Sequence, residues 1–115
     1  QQPGTAGPIG EVQSWILQNL TADLCVENLA EKAAMSPRNF TRVFTRVAGV
    51  SPARYVTEAR LAAARQLLEQ TRDPLERVAE QSGFGTSINL RRIFEKQLHL
   101  TPGEYRQRFH CRKMA

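Results

Sequence analysis

Three arginines recur at four-residue intervals in the first half of the chain. Arg38, Arg42 and Arg46 would share one face of a helix, because residues four apart lie one above another along its axis. Residues 37–57 include no acidic side chain, so this face would carry positive charge alone. A guanidinium group binds phosphate oxygens, and it also donates paired hydrogen bonds to O6 and N7 of guanine. The spacing favours a nucleic-acid contact over a solvated surface, on which both signs of charge would mix.

A second basic cluster follows in the last third of the chain. Arg91, Arg92 and Lys96 would face away from an apolar side formed by Leu90, Ile93 and Phe94. Acidic residues collect instead on the helix that precedes each basic one: Glu27, Glu31, Asp73, Glu76 and Glu80. This segregation places positive charge on the helices that would enter a DNA groove.

The whole chain is basic and of ordinary globular composition. Its 115 residues carry a net charge of +5, and 41% of them are hydrophobic, which suits one domain or two small subdomains. No apolar run could span a membrane and no signal peptide is evident, so we expect a cytoplasmic protein. Cys25 and Cys111 lack metal-ligand spacing, and common catalytic motifs are missing from the sequence. We therefore predict no enzyme activity, no catalytic or metal site and no cofactor.

The apolar periodicity predicts an all-α fold of seven helices without strands. Ser36-Pro37, Ser51-Pro52 and Thr101-Pro102 each combine a capping hydroxyl with a proline suited to the first helical turn. The predicted helices span about 9–20, 26–34, 37–48, 52–70, 74–82 and 87–98, and the seventh opens at 102. Two helix-turn-helix subdomains, 9–50 and 71–109, would be joined by a long central helix within 51–70. Residues 1–8 would form a linker and 110–115 a basic tail, and the lack of an initial Met suggests a fragment.

Apolar stripes mark the predicted core. The first helix contributes Val12, Trp15, Ile16, Leu17 and Leu20, and the third contributes Phe40, Val43, Phe44 and Val47. Because the aromatic residues fall mostly on such stripes, we interpret them as core residues rather than as platforms for stacking bases.

The two predicted subdomains are copies of one unit. Their matching segments are Ala30-Glu31 with Ala79-Glu80, Arg42-Val43-Phe44 with Arg92-Ile93-Phe94, and Ser51-Pro52 with Thr101-Pro102. The register shifts by one residue between these matches, so the second copy has one extra residue in the loop 83–87. The turn residue of the second copy is Gly83, which readily takes a left-handed conformation. The first copy has Ala34 there, which predicts a turn that is either strained or right-handed.

The exposed face of helix 37–48 carries candidates for base contact. Arg38, Thr41, Arg42 and Thr45 share this face at i, i+3, i+4 and i+7. Arginine can bridge O6 and N7 of guanine, and a threonine methyl group can meet a thymine methyl group. Five further cations are predicted to contact phosphate or solvent: Lys96, Arg106, Arg108, Arg112 and Lys113.

The corresponding face of helix 87–98 carries Ser87, Ile88, Arg91 and Arg92. Ser87 is also a candidate N-cap, a role for which Thr86 competes. Ile88 is out of phase with the apolar stripe, so it would either pack against the preceding loop or contact a thymine methyl group.

Taken together, these residues resemble the AraC/XylS family of bacterial transcription regulators. The resemblance covers about residues 9–109. Its most specific segments lie in the second unit: Pro74-Leu75-Glu76-Arg77-Val78-Ala79-Glu80-Gln81-Ser82-Gly83-Phe84-Gly85, Leu90-Arg91-Arg92-Ile93-Phe94 and Leu100-Thr101-Pro102-Gly103-Glu104-Tyr105-Arg106. The first unit matches through Leu29-Ala30, Met35-Ser36-Pro37-Arg38, Phe40, Arg42 and Phe44.

The resemblance implies sequence-specific binding of double-stranded DNA at an asymmetric promoter site, with helices 37–48 and 87–98 in successive major grooves. By position it implies base contacts from Arg38, Thr41, Arg42, Ser87, Ile88, Asn89 and Arg92. Phosphate contacts are expected from Arg46, Arg91 and Lys96. It also implies RNA polymerase as a partner, association with the nucleoid, and an N-terminal sensor or dimerisation domain outside this chain. The segment Met35–Phe40 resembles the subgroup whose N-terminal domain is of the class I glutamine-amidotransferase type.

The alternative is a helical protein-interaction module that does not bind DNA. Two packed helical hairpins would produce the same apolar periodicity and the same internal repeat. The segregation of charge is the feature that favours DNA, and a mobility shift on genomic fragments over a salt series would separate the two functions.

Overall fold

The structure, a computed structural model, describes residues 7–114, with side chains described for residues 7–110. Its helices are α1 (Gly7–Gln18), α2 (Val26–Lys32), α3 (Pro37–Ala48), α4 (Pro52–Gln70), α5 (Leu75–Ser82), α6 (Ser87–Leu98) and α7 (Pro102–Met114). Between residues 7 and 114 there is no strand, and the predicted all-α class is confirmed. α1 starts within the predicted linker and α7 continues through the predicted basic tail. Residues 1–6 of that linker and residue 115 lie outside the described residues.

Hydroxyl caps set the starts of α3 and α6. The Ser36 hydroxyl accepts a hydrogen bond from the Asn39 backbone N–H at 3.2 Å, and Thr86 accepts one from the Asn89 N–H at 3.1 Å. Each cap satisfies a backbone donor that has no partner within the helix. Thr86 is therefore the N-cap of α6, and the competing assignment to Ser87 is wrong.

The described residues form two compact units, one ending at Ala59 and the other beginning at Arg60, and the division falls inside α4. The core of the first unit combines buried side chains of α1, α2 and α3 with Val56 from α4. Phe40 and Phe44 are fully buried in it, with ring centroids 5.4 Å apart, and Phe44 makes an edge-to-face contact with Tyr55. These aromatic rings fix which side of α3 faces the core.

The second unit repeats this arrangement around its own core. Leu68 of α4 is buried with Val78 of α5 and with Leu90 and Phe94 of α6. Phe94 makes an edge-to-face contact with Tyr105 at 5.5 Å, which matches the contact between Phe44 and Tyr55 in the first unit. The internal repeat is thus a repeat of packing as well as of sequence.

Two residues of the predicted apolar stripes lie outside the core. Leu17 is 55% exposed and Val47 is 43% exposed, so their assignment to the core is wrong. Leu17 lies about 100° around the helix from the stripe of Ile9, Val12 and Ile16. Val47 is in phase with Phe44 but belongs to the last turn of α3, where the neighbouring helices no longer cover it.

The turns between the paired helices have the same left-handed conformation but different residues in it. Ala34 has φ 57° and Gly83 has φ 97°, so both turns use a left-handed residue and the strained alternative for Ala34 is the observed one. The turn is closed by Met35 N–H donating to Ala30 O in the first unit. In the second unit Gly85 N–H donates to Ala79 O, which confirms the extra residue predicted there.

Candidate nucleic-acid interface

The outer face of α3 carries three exposed arginines. Arg38, Arg42 and Arg46 are each separated by one helical turn, and the buried rings of Phe40 and Phe44 hold this face away from the core. No acidic side chain occurs on α3. The helix therefore presents positive charge along its whole length, as its sequence predicts.

Thr41 lies between these arginines and is half-buried. Its backbone carbonyl accepts a hydrogen bond from the Thr45 hydroxyl at 2.7 Å. The Thr45 hydroxyl is thus directed to its own helix.

The outer face of α6 is arranged in the same way, with Leu90 and Phe94 buried and Arg91, Arg92 and Lys96 exposed. One position differs in sign. Glu95 is exposed on α6 at the position that Thr45 occupies on α3, so the face of α6 carries one acidic side chain among its basic ones. Glu95 was not predicted as part of this face, although it follows Arg92 by three residues and Arg91 by four, a spacing that places side chains next to each other on a helix.

In the first turn of α6, the structure decides between the alternative roles predicted for Ser87 and Ile88. Ile88 is 79% exposed, which rules out packing against the preceding loop. Ser87 is half-buried, and its hydroxyl donates a hydrogen bond to the Glu76 carboxylate of α5 at 2.5 Å. This turn therefore exposes the apolar side chain of Ile88 to a ligand, whereas the Ser87 hydroxyl is bound to Glu76.

An asparagine precedes the central arginine of each face by three residues. The Asn39 Oδ1 atom accepts a hydrogen bond from Arg42 Nη2 at 2.5 Å. In the second unit Asn89 Oδ1 accepts one from Arg92 Nη2 at 2.7 Å. Asn89 also donates its amide to the Phe84 carbonyl at 3.0 Å. Both polar ends of the Asn89 side chain are thus bound within the protein.

A family model described as a helix-turn-helix domain matches residues 29–108, which takes in both helix pairs. The chain belongs to the AraC family of helix-turn-helix domains.

Among proteins similar to this AraC-family domain, the transcriptional regulator Rv1931c of Mycobacterium tuberculosis is 45% identical over 84 residues. That match covers 73% of this chain and 32% of the relative. A regulator of Haemophilus influenzae is 36% identical over 92 residues, covering 80% of this chain and 31% of the relative. The chain thus spans about a third of the length of the curated relatives it matches.

Solved structures show the same fold. The DNA-binding domain of AdpA, a global transcriptional factor crystallised with a target DNA, is 34% identical with a TM-score of 0.88. The match covers 93% of this chain and 96% of that one. The C-terminal domain of AraT, a response regulator of Geobacillus stearothermophilus, is 26% identical with a TM-score of 0.85, over 90% of this chain and 87% of that one.

Arg106 has a structural role in this AraC-family domain. It is half-buried, and it donates to the Leu68 carbonyl at 3.3 Å and to the Asp73 carbonyl at 2.7 Å. Burial lowers the pKa of its guanidinium group. The predicted phosphate or solvent contact is therefore wrong, because two of its nitrogens instead hold α7 against the end of α4 and the following turn.

Tyr105 anchors the same helix by its hydroxyl group. That hydroxyl donates to the Glu69 carboxylate and accepts a long hydrogen bond from Arg65 at 3.5 Å. Burial of the ring, together with the hydrogen bond to Glu69, raises the pKa of Tyr105, while the Arg65 hydrogen bond opposes the shift. The Tyr105 ring is half-buried and packs against the core of the second unit, which agrees with its predicted role in packing.

In the described part of the chain, no helix is long and apolar enough to cross a membrane. Its described side chains include no cluster of three or more His, Cys, Asp or Glu residues that could hold a metal ion.

Proposed function

We propose that this AraC-family domain binds double-stranded DNA sequence-specifically, as the DNA-binding part of a bacterial transcription regulator. The observation that carries the proposal is the repeated pair of helices, in which the second helix buries one face and exposes arginines on the other. A helix of this kind fits the major groove, where side chains reach base edges and phosphates. The similar domain of AdpA was crystallised with a target DNA, which supports the same ligand here.

We assign the base contacts to exposed or half-exposed residues at the centre and start of the two helices. They are Arg38, Thr41 and Arg42 on α3, and Ser87, Ile88, Asn89 and Arg92 on α6. Arg46, Arg91 and Lys96 are assigned to phosphates, because exposed cations flanking the centre of the helix are placed for the backbone. The exposed apolar side chain of Ile88 supports contact with a thymine methyl group.

Two unequal recognition helices on one chain imply an asymmetric site bound by a monomer. With one helix in each of two successive major grooves, the two sequence elements would be about 10 base pairs apart. Insertion of about 5 base pairs between them would turn one element to the far side of the duplex and should abolish simultaneous contact.

Selection of binding sites from random double-stranded DNA tests the function directly. We expect two short, dissimilar elements separated by about one helical turn. No enrichment of any sequence would overturn sequence-specific binding, and a tight palindrome bound by a dimer would overturn the monomeric arrangement. Binding-site selection followed by the insertion experiment therefore tests both parts of the proposal.

For the full-length regulator we propose three further features. The first is RNA polymerase as its protein partner at the promoter, and the second is location at the nucleoid. The third is an N-terminal sensor or dimerisation domain, which is supported by the curated relatives, since they are about three times as long as the matched region. The motif Met35–Phe40 supports a glutamine-amidotransferase-like domain in that place. Co-purification of the polymerase on a selected promoter fragment, with and without this protein, tests the first feature.

A further inference from the structure

The same contact between an asparagine and an arginine occurs independently in both units. Asn39 and Arg42, like Asn89 and Arg92, are three residues apart on a helix, so their side chains are neighbours. Both asparagines are half-buried, and both arginines are exposed. The other exposed residues of α3 and α6 differ, but both helices have the same hydrogen bond between an asparagine and the arginine three residues later.

The backbone of each asparagine is held in place. Its backbone N–H is bound by the capping hydroxyl of Ser36 or Thr86, which fixes the first helical turn. Asn89 is further held by its amide bond to the Phe84 carbonyl. Phe84 is buried in the core of the second unit, and this packing holds the residue that carries the carbonyl.

Donation of a hydrogen bond to an acceptor on the same helix restricts the guanidinium plane. A free arginine side chain samples many rotamers, and ordering it on DNA costs conformational entropy. One of its five N–H donors is used by the asparagine, and a pair of hydrogen bonds to guanine needs two of the remaining four. The contact therefore leaves the arginine competent for guanine and already oriented.

We propose that Asn39 and Asn89 are positioning residues that orient Arg42 and Arg92 for base recognition and set the sequence preference of the domain. This inference rests on the proposed function and reassigns Asn89, whose side chain acts through Arg92. Because an asparagine is neutral, it holds the guanidinium without cancelling the charge that attracts DNA. Its removal should reduce discrimination between sequences more than it reduces general attraction.

A double-mutant cycle on the selected duplex tests the proposal. The affinities of the wild-type protein, Asn39→Ala, Arg42→Ala and the double variant are measured on the selected duplex and on a shuffled duplex. We expect Asn39→Ala to lower the ratio of the two affinities by about threefold to tenfold. In the Arg42→Ala background the same change should leave the ratio unaltered. Asn89→Ala, with and without Arg92→Ala, repeats the cycle in the second unit.

Two further variants separate positioning from other roles. Asn39→Asp keeps the acceptor but adds negative charge, so it should keep the ratio while weakening both affinities and reducing the salt slope. Asn19→Ala is the matched control, because Asn19 is also half-buried and its amide donates to the Trp15 carbonyl, but it lies outside α3 and α6. It should leave the ratio unchanged.

Several outcomes would overturn the proposal. An unchanged ratio in Asn39→Ala and Asn89→Ala would do so, and so would additive losses in the cycle, which would mean that the asparagines contact bases themselves. Failure of the proposed function is distinguishable, because the wild-type protein would then show no preference for the selected duplex. Circular dichroism and thermal unfolding of each variant show whether a lost preference reflects a lost fold.

Discussion

Replacement of Arg42 or Arg92 by alanine should weaken recognition of the selected site without unfolding the domain. Each arginine is exposed on the side of its helix opposite a fully buried phenylalanine, Phe44 or Phe94, so its loss removes no core contact. Unfolding free energy should change by no more than about 0.5 kcal/mol, as for other surface substitutions.

The expected loss of binding follows from one base contact. A bidentate pair of hydrogen bonds to guanine discriminates by about 1–3 kcal/mol, which corresponds to about 5-fold to 150-fold in affinity. We expect each variant to lose this factor on the selected duplex and much less on a shuffled one. Relaxed preference should appear at one base pair of the element that the altered helix contacts.

Fluorescence anisotropy with labelled duplexes at constant salt measures both affinities. Arg77→Ala is the matched control, because Arg77 is an exposed arginine of α5 that pairs with Asp73 at 3.7 Å. It should alter neither affinity appreciably. If the Arg42 or Arg92 variant weakened selected and shuffled DNA by the same factor, the assignment of these residues to base contact would be refuted.

Other substitutions test the fold and the charge of the interface. Ala34→Gly should raise the unfolding free energy by about 0.5–1 kcal/mol, and Gly83→Ala should lower it by a similar amount, because both positions are left-handed; denaturant titration measures both. Tyr105→Phe should lower stability at pH 7 by about 1–2 kcal/mol through loss of a hydrogen bond to a carboxylate. Because the pKa of Tyr105 is raised on folding, its contribution is complete below pH 10 and is lost as the pH rises above that value, so this variant should show a shallower alkaline loss of stability. Glu95→Gln should tighten binding to selected and shuffled duplexes alike, by about twofold to fivefold at low salt and by less at high salt. Equal affinities of the variant and the wild-type protein at low salt would contradict a repulsive role for Glu95.

Local sequence signals were sufficient to predict most of the helices. Ser36-Pro37 marked the start of α3, and the observed span Pro37–Ala48 agrees with the prediction. The span of α6 agrees as well, although its cap is Thr86. Periodicity alone overestimated the core at Val47, because it shows the phase of a side chain but not where the neighbouring helices end.

The candidate site was predictable in its charge and less so in its contacts. The exposed positions of Arg42 and Arg92 followed from their phase relative to buried phenylalanines. Arg106 was misassigned, because a long side chain can either extend into solvent or reach backbone carbonyls, and tertiary packing decides between them. The hydrogen-bond partners of Asn39 and Asn89 could not be predicted from the sequence either, since an asparagine at such a position can bind nucleobases, backbone groups or a neighbouring side chain.

The salt dependence of binding to the selected duplex tests the central claim most directly, namely that the cationic faces of α3 and α6 bind DNA. Contact with about 6–10 phosphates predicts that the logarithm of the association constant falls linearly with the logarithm of salt concentration, with a slope of about −5 to −9. A slope near zero would contradict the claim, because binding that releases no counterions cannot involve these arginines and phosphates.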